Sequence, residues 1–137
     1  MIKQLILLLI PFLTFSQVSV PDKYWVEDKG FEDAINVNSA FDDDNTEPVL
    51  IEFWAKFNEE NCFADWDKVE NVSYYRVDIS KAPLAKKKYR VRMAPTLILF
   101  KDGVKEVTFK AGLDLLLPTN LEEVQEAINE LNESNKF

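Results

Sequence analysis

Histidine is absent from this 137-residue chain, and cysteine occurs once, as Cys62. Losing histidine removes the usual general base at neutral pH and the commonest zinc ligand, so no Cys/His metal constellation can be drawn. Basic residues are outnumbered by acidic ones, 16 to 24, for a net charge of −8. Nucleic-acid binding needs clustered Lys and Arg, so this balance argues against it. The acidic run Asp42-Asp43-Asp44 lacks the spaced ligands and turn glycine of a calcium loop and reads as a solvated turn. No metal or cofactor is expected. Internal repeats and low-complexity tracts are also missing.

What the chain does contain is enough apolar material, 47% of its residues, for one domain that buries a core without disulfides or metal. Met1-Ile2-Lys3 is a short basic start. An apolar run from Leu5 to Phe15 follows, too short for a comfortable membrane span, and Thr14-Phe15-Ser16 offers a small-x-small cleavage site before Gln17. Residues 1–16 therefore read as a signal peptide. The expected location is exported, periplasmic or secreted, with an uncleaved membrane anchor as the alternative. In an oxidising compartment a lone thiol stays free, is capped, or pairs with another chain, a disulfide-linked homodimer included.

Further along, Tyr24-Trp25-Val26 reads as an edge strand, and Phe31, Ala34, Ile35 and Phe41 give a first helix its apolar face. Val49–Trp54 is apolar except for Glu52, as suits a strand covered on both sides. A short helix is expected near Asn61, with Phe63, Trp66 and Val69 at three-residue spacing, before strand residues resume at Tyr74. Leu97–Phe100, the pair Asp102-Gly103, and Val104–Phe109 form the best hairpin signal, because Asp-Gly suits a two-residue turn with positive φ. Thr119-Asn120-Leu121-Glu122 has the pattern of a capping box and opens a last helix that buries Leu121, Val124, Ile128 and Leu131.

Several of these segments, in this order, resemble the thioredoxin family from about Val49 to Leu131. Val49–Ala55 resembles the central strand that leads to the active-site turn, Tyr75–Ser80 the next parallel strand, and Ala85–Arg92 the helix and loop before the family's cis-proline. Met93-Ala94-Pro95-Thr96 resembles the proline loop itself, and Gly112 a glycine beyond the final strand. The resemblance implies a three-layer α/β/α sandwich around a central mixed sheet. In domain terms, 17–48 supplies an N-terminal strand and helix, 49–133 the thioredoxin-like core, and 134–137 a tail.

The departure lies at the cysteines. Where the family has Trp-Cys-Gly-Pro-Cys, this chain has Phe57-Asn58-Glu59-Glu60-Asn61-Cys62, so Asn58 occupies the place of the attacking cysteine. Cys62 falls one residue past the second family cysteine, or takes that resolving position if one residue is inserted. Dithiol catalysis needs one sulfur to attack and another to resolve, and one sulfur cannot do both. The resemblance assigns Glu52 to the buried carboxylate that accepts the resolving cysteine's proton and Arg76 to its basic neighbour. With no dithiol to serve, the two also read as an interior ion pair. Glu59, Glu60, Asp65 and Asp67 are expected to hold the Cys62 thiol at or above about 8.5, while a helix start at Cys62 would act in the opposite sense.

Two functions follow from different classes. One is an exported protein linked to thiol/disulfide redox, at most a monothiol that forms mixed disulfides through Cys62. The other is a non-catalytic module in which Trp54, Phe57, Asn58, Ala94 and a cis Pro95 form a groove for an extended peptide or protein partner. The run Lys86-Lys87-Lys88 with Arg90 and Arg92 reads as a solvated helix face, or as a lure for an acidic partner.

Overall fold

The computed structural model describes residues 20–37 and 47–133. The expected signal peptide, Phe41, the turn at 42–45 and the 134–137 tail lie outside the described residues.

Four strands form one mixed sheet. β1 (Val49–Trp54) lies between β2 (Ser73–Asp78), to which it is parallel, and β3 (Thr96–Lys101), to which it is antiparallel; β4 (Val104–Lys110) pairs with β3, for a spatial order of β2-β1-β3-β4. Strand side chains alternate between faces, so the central strands sort the core into two halves. Val49, Ile51 and Phe53 of β1 join Val77, Ile98 and Phe100 on one face. There they meet Phe31 and Ile35 of α1 (Asp28–Ile35) and Ala85 of α2 (Pro83–Lys88). Leu50, Tyr74, Leu97 and Leu99 face the other way, onto Val124 and Ile128 of α3 (Leu121–Glu133). These are the three layers of the α/β/α sandwich implied by the resemblance. Among the described residues no helix is long and apolar enough to cross a membrane.

Asp102 and Gly103 close the β3–β4 hairpin with φ of 50° and 76°, the left-handed conformations that a tight hairpin turn demands. A Cβ on Gly103 would collide with the Asn36 side chain. The α3 cap is shifted by one residue from the expected box. Asn120 Oδ1 accepts the Glu123 N–H (2.9 Å), and Thr119 Oγ1 donates to Glu123 Oε2 (2.9 Å), so Asn120 caps the helix with Glu123 three residues on.

Two expectations are corrected. Tyr24-Trp25-Val26 is not a strand: Asp22–Tyr24 forms a 3-10 turn, and only Trp25 makes a bridge, beside Arg76. The β1–β2 crossover contains no α-helix near Asn61. Its one regular piece is a 3-10 turn, Lys56–Asn61, after which the chain runs through irregular turns to Ser73. Asn and Asp residues at 61, 65, 67 and 71 compete for backbone groups and lower helix propensity, and Asn71 adopts a positive φ of 61°. The backbone of Phe63 is also engaged elsewhere. Its N–H donates to Glu52 Oε2 (2.9 Å) and its carbonyl accepts from Arg76 (3.4 Å), so neither group is free for a helical ladder. Phe63 still reaches the core, with Trp66 and Val69 against the α3-side cluster.

Candidate functional site

Parallel register sets the centre of the site. Glu52 stands opposite Arg76, and Leu50 opposite Tyr74, so alternation brings Glu52, Tyr74 and Arg76 to the α3 side of the sheet near its upper end. Glu52 is 0% exposed. Its Oε1 accepts from the Tyr74 hydroxyl (2.7 Å) and from Arg76 (3.1 Å), while Oε2 takes the Phe63 amide. Arg76 Nε donates to the Tyr74 hydroxyl in turn (2.8 Å). The ring of bonds leaves no buried side-chain polar atom unsatisfied among the described residues, which is what makes a buried charge pair tolerable. Burial pushes Glu52 above the usual carboxylate range, and Arg76, the Phe63 amide and Tyr74 pull part of the way back. Burial, followed by the charge of Glu52, raises the Tyr74 phenol.

Cys62 follows the 3-10 turn, and its N–H donates back to the Glu59 carbonyl (3.2 Å). It therefore sits at the C-terminal end of a short turn, and no helix N-terminus faces its sulfur. The thiol is half-buried and pushed up, first by burial and then by the charge of Glu52, with Arg76 acting against both. The direction matches the expectation from sequence, but the causes differ. The dominant charge comes from the interior carboxylate rather than from Glu59, Glu60, Asp65 and Asp67.

Asn58 is no surface residue. It is 8% exposed, and its Nδ2 donates both to the Ala94 carbonyl (2.8 Å) and to the Leu115 carbonyl (2.9 Å), while its Oδ1 accepts from Asn61 (2.6 Å). One amide thus ties the 3-10 turn to the proline loop and to the loop after β4. The Ala94–Pro95 bond is cis, with both residues buried and Ala94 only 1% exposed. Phe57 is 74% exposed and turns away from them. Trp54 packs edge-on against Trp25 (centroids 5.1 Å apart, 84°). The five residues named for a peptide groove are therefore distributed over different surroundings: Asn58, Ala94 and Pro95 in a closed junction, Trp54 in an aromatic wall, Phe57 in solvent.

Open space lies beside Cys62, and a further cleft of about 460 Å³ reaches Met93 and Thr96 on either side of the Ala94–Pro95 bond. A cleft of about 620 Å³ is lined by Cys62, Trp25, Trp54, Trp66 and Arg76 with Asp22, Glu59 and Glu60. Arg76 lies 5.7 Å from the centroid of Trp25, and Trp66 stacks on Tyr74 at 5.5 Å. Sequence reasoning missed Tyr74, Trp25 and Trp66 as members of the site. Tyr74 was within reach, since strand alternation already places it on the face of Arg76; Trp25 arrives by a long-range bridge that no local pattern signals. Among the described residues no group of three or more His, Cys, Asp or Glu is placed to hold a metal.

Comparison with solved structures finds the same fold. A point mutant of the thioredoxin from Halobacterium salinarum NRC-1 superposes with a TM-score of 0.59 at 19% identity over 77% of this chain and 87% of that one. Malassezia sympodialis thioredoxin gives 0.58 at 19% identity, covering 77% and 89%. Thioredoxin-2 of Pyricularia oryzae is 44% identical over 64 residues, which is 42% of this chain and 37% of that protein. The match thus spans little more than a third of that relative's length. The Thioredoxin family model matches residues 25–117, so the strands, the proline loop and the buried Glu52–Arg76 pair lie within the matched stretch, and the chain belongs to the thioredoxin family.

Proposed function

We propose that this thioredoxin-family protein is exported and works as a monothiol, capturing a partner through a mixed disulfide on Cys62 without turning it over. The observation that carries the reading is the pairing of two facts at one place. Cys62 opens into a cleft above the Glu52–Arg76 pair, while Asn58, at the attacking position, is locked into hydrogen bonds and has no sulfur.

The chemistry is thiol–disulfide exchange. The Cys62 thiolate attacks one sulfur of a partner disulfide, that S–S bond breaks as the new one forms, and the departing sulfur leaves as a thiolate that solvent protonates. The chain has no second thiol to displace the partner. A raised thiol pKa means little thiolate at neutral pH, but it also makes Cys62 a poor leaving group. Both effects favour slow capture and long residence over rapid cycling. Export rests on the pattern of residues 1–16, which also supplies the oxidising surroundings where partner disulfides persist.

The test is to incubate the native protein with insulin, first without a reductant to read adduct formation and then with one to read turnover. A covalent adduct on Cys62 with negligible insulin reduction supports the reading. Turnover comparable to that of a dithiol thioredoxin, or an adduct retained in Cys62→Ser, overturns it. N-terminal sequencing of the protein recovered from the cell exterior tests export, with Gln17 the expected first residue.

A further inference from the structure

All three tryptophans of the chain line the cleft into which Cys62 opens. The charged groups around them are one-sided. Arg76 is buried and held by Glu52 at 3.1 Å, so those two charges offset each other locally. Asp22, Glu59 and Glu60 line the same cleft, and none of them takes part in a salt bridge among the described residues. The acidic character continues next door. A second cleft of about 320 Å³ shares Asp22, Trp25 and Trp54 and adds Glu27 and Asp78 against a single Lys81.

Indole faces attract cations through the ring quadrupole, and the site already contains one example, the Arg76 guanidinium beside Trp25. Carboxylates at the rim of a concave, partly desolvated surface strengthen the same preference and repel anions. We infer that the partners captured by Cys62 are basic, presenting a Lys or Arg side chain beside the disulfide sulfur that Cys62 attacks. The inference rests on the mixed-disulfide reading above and adds the substrate class. The cationic side chain lies along Trp54 and Trp66 with its charge among Asp22, Glu59 and Glu60, while the sulfur beside it meets Cys62. The partner's disulfide is the oxidant. Cys62 becomes half of the new disulfide, and the departing half is reduced.

The experiment has two arms. In the first, the native protein reacts with cystamine, hydroxyethyl disulfide and dithiodiglycolate, which are cationic, neutral and anionic. Each rate is divided by the rate of the same reagent with N-acetylcysteine amide, which removes leaving-group effects. The expected normalised rate for cystamine exceeds that of the neutral reagent by roughly tenfold at low salt, with dithiodiglycolate slowest. The gap closes to within about twofold in ~1 M salt. The double change Glu59→Gln with Glu60→Gln removes most of it, whereas Glu130→Gln, remote on α3, leaves it intact. Equal or reversed rates overturn the inference.

In the second arm, Cys62→Ser protein is titrated with a Lys- and Arg-rich peptide and with a Glu-rich one while tryptophan fluorescence is read. Because every tryptophan faces the cleft, a saturable change with the basic peptide alone is expected, and no difference between the two overturns the proposal. The arms also separate the two claims. Basic-peptide binding together with an unreactive native Cys62 sinks the monothiol reading and keeps the charge preference. Equal normalised rates for all three disulfides do the reverse.

Discussion

Replacing Asn58 tests whether the residue at the lost nucleophile's position has become structural. Asn58→Ala removes the donor to two carbonyls, those of Ala94 and Leu115, at 2.8 and 2.9 Å, and the acceptor for Asn61 at 2.6 Å. A buried polar group left without its partner costs about 1–3 kcal/mol. Ala94 is buried and takes the full penalty, while Leu115 is only half-buried and recovers part of its loss from water. The expected destabilisation is about 2–4 kcal/mol. In a domain of somewhat over 100 residues each kcal/mol moves Tm by about 3–6 °C, so the melting point falls by on the order of 6–24 °C. Asn58→Asp is expected to cost more than Ala, because it replaces both N–H donors by oxygens that face carbonyl oxygens. Urea unfolding followed by tryptophan fluorescence measures the series, with equal m-values showing that the unfolded state is unchanged. A cost below about 0.5 kcal/mol for Ala, the usual range for a surface site, or an Asp variant no worse than Ala, would refute the structural role.

Glu52→Ala leaves Arg76 buried without its carboxylate and should cost about 3–5 kcal/mol in the same assay, whereas Glu52→Gln keeps an acceptor for the Phe63 amide and should cost less. Because burial raises Glu52, the folded state holds its proton more tightly than the unfolded chain. The stability that this group contributes is therefore complete below the unfolded value near 4.5 and is lost as pH rises through the folded one. Lowering the pH from 7 toward 5 should accordingly favour the wild type relative to Glu52→Gln, and the opposite trend would mean that Arg76 outweighs burial. Thiolate absorbance at 240 nm should place the Cys62 midpoint above the ordinary cysteine value. Glu52→Gln should bring it down and Arg76→Met push it further up, since the carboxylate raises the thiol and the guanidinium lowers it. Gly103→Ala, at a φ of 76° and against Asn36, should lower stability by about 1–3 kcal/mol, and an unchanged urea midpoint would contradict the turn geometry.

Much of the fold was legible because its strands carry their own signals. The run 49–54, apolar but for Glu52, the Asp-Gly turn and the spaced Leu121, Val124, Ile128 and Leu131 each depend on neighbours in sequence. The crossover was not legible, because Phe63, Trp66 and Val69 mimic a helical stripe although their packing is reached through irregular turns. What decides that segment is the engagement of the Phe63 backbone by Glu52 and Arg76, contacts 11 and 13 residues away. The site divided in the same way. Glu52 and Arg76 could be paired through the family resemblance, while the burial of Asn58 beneath the proline loop depends on partners 36 and 57 residues distant. The cleft was hidden for the same reason, since Trp25 reaches it only through its bridge to Arg76.

Intact-mass measurement of the native protein after exposure to a disulfide-containing peptide tests the central claim most directly. The account predicts one peptide added per chain, on Cys62, persisting after the excess peptide is removed and released only by an added thiol. A native chain that acquires no adduct, while the same chain labels fully once unfolded in urea, would show that Cys62 is a passive interior thiol and would contradict the account.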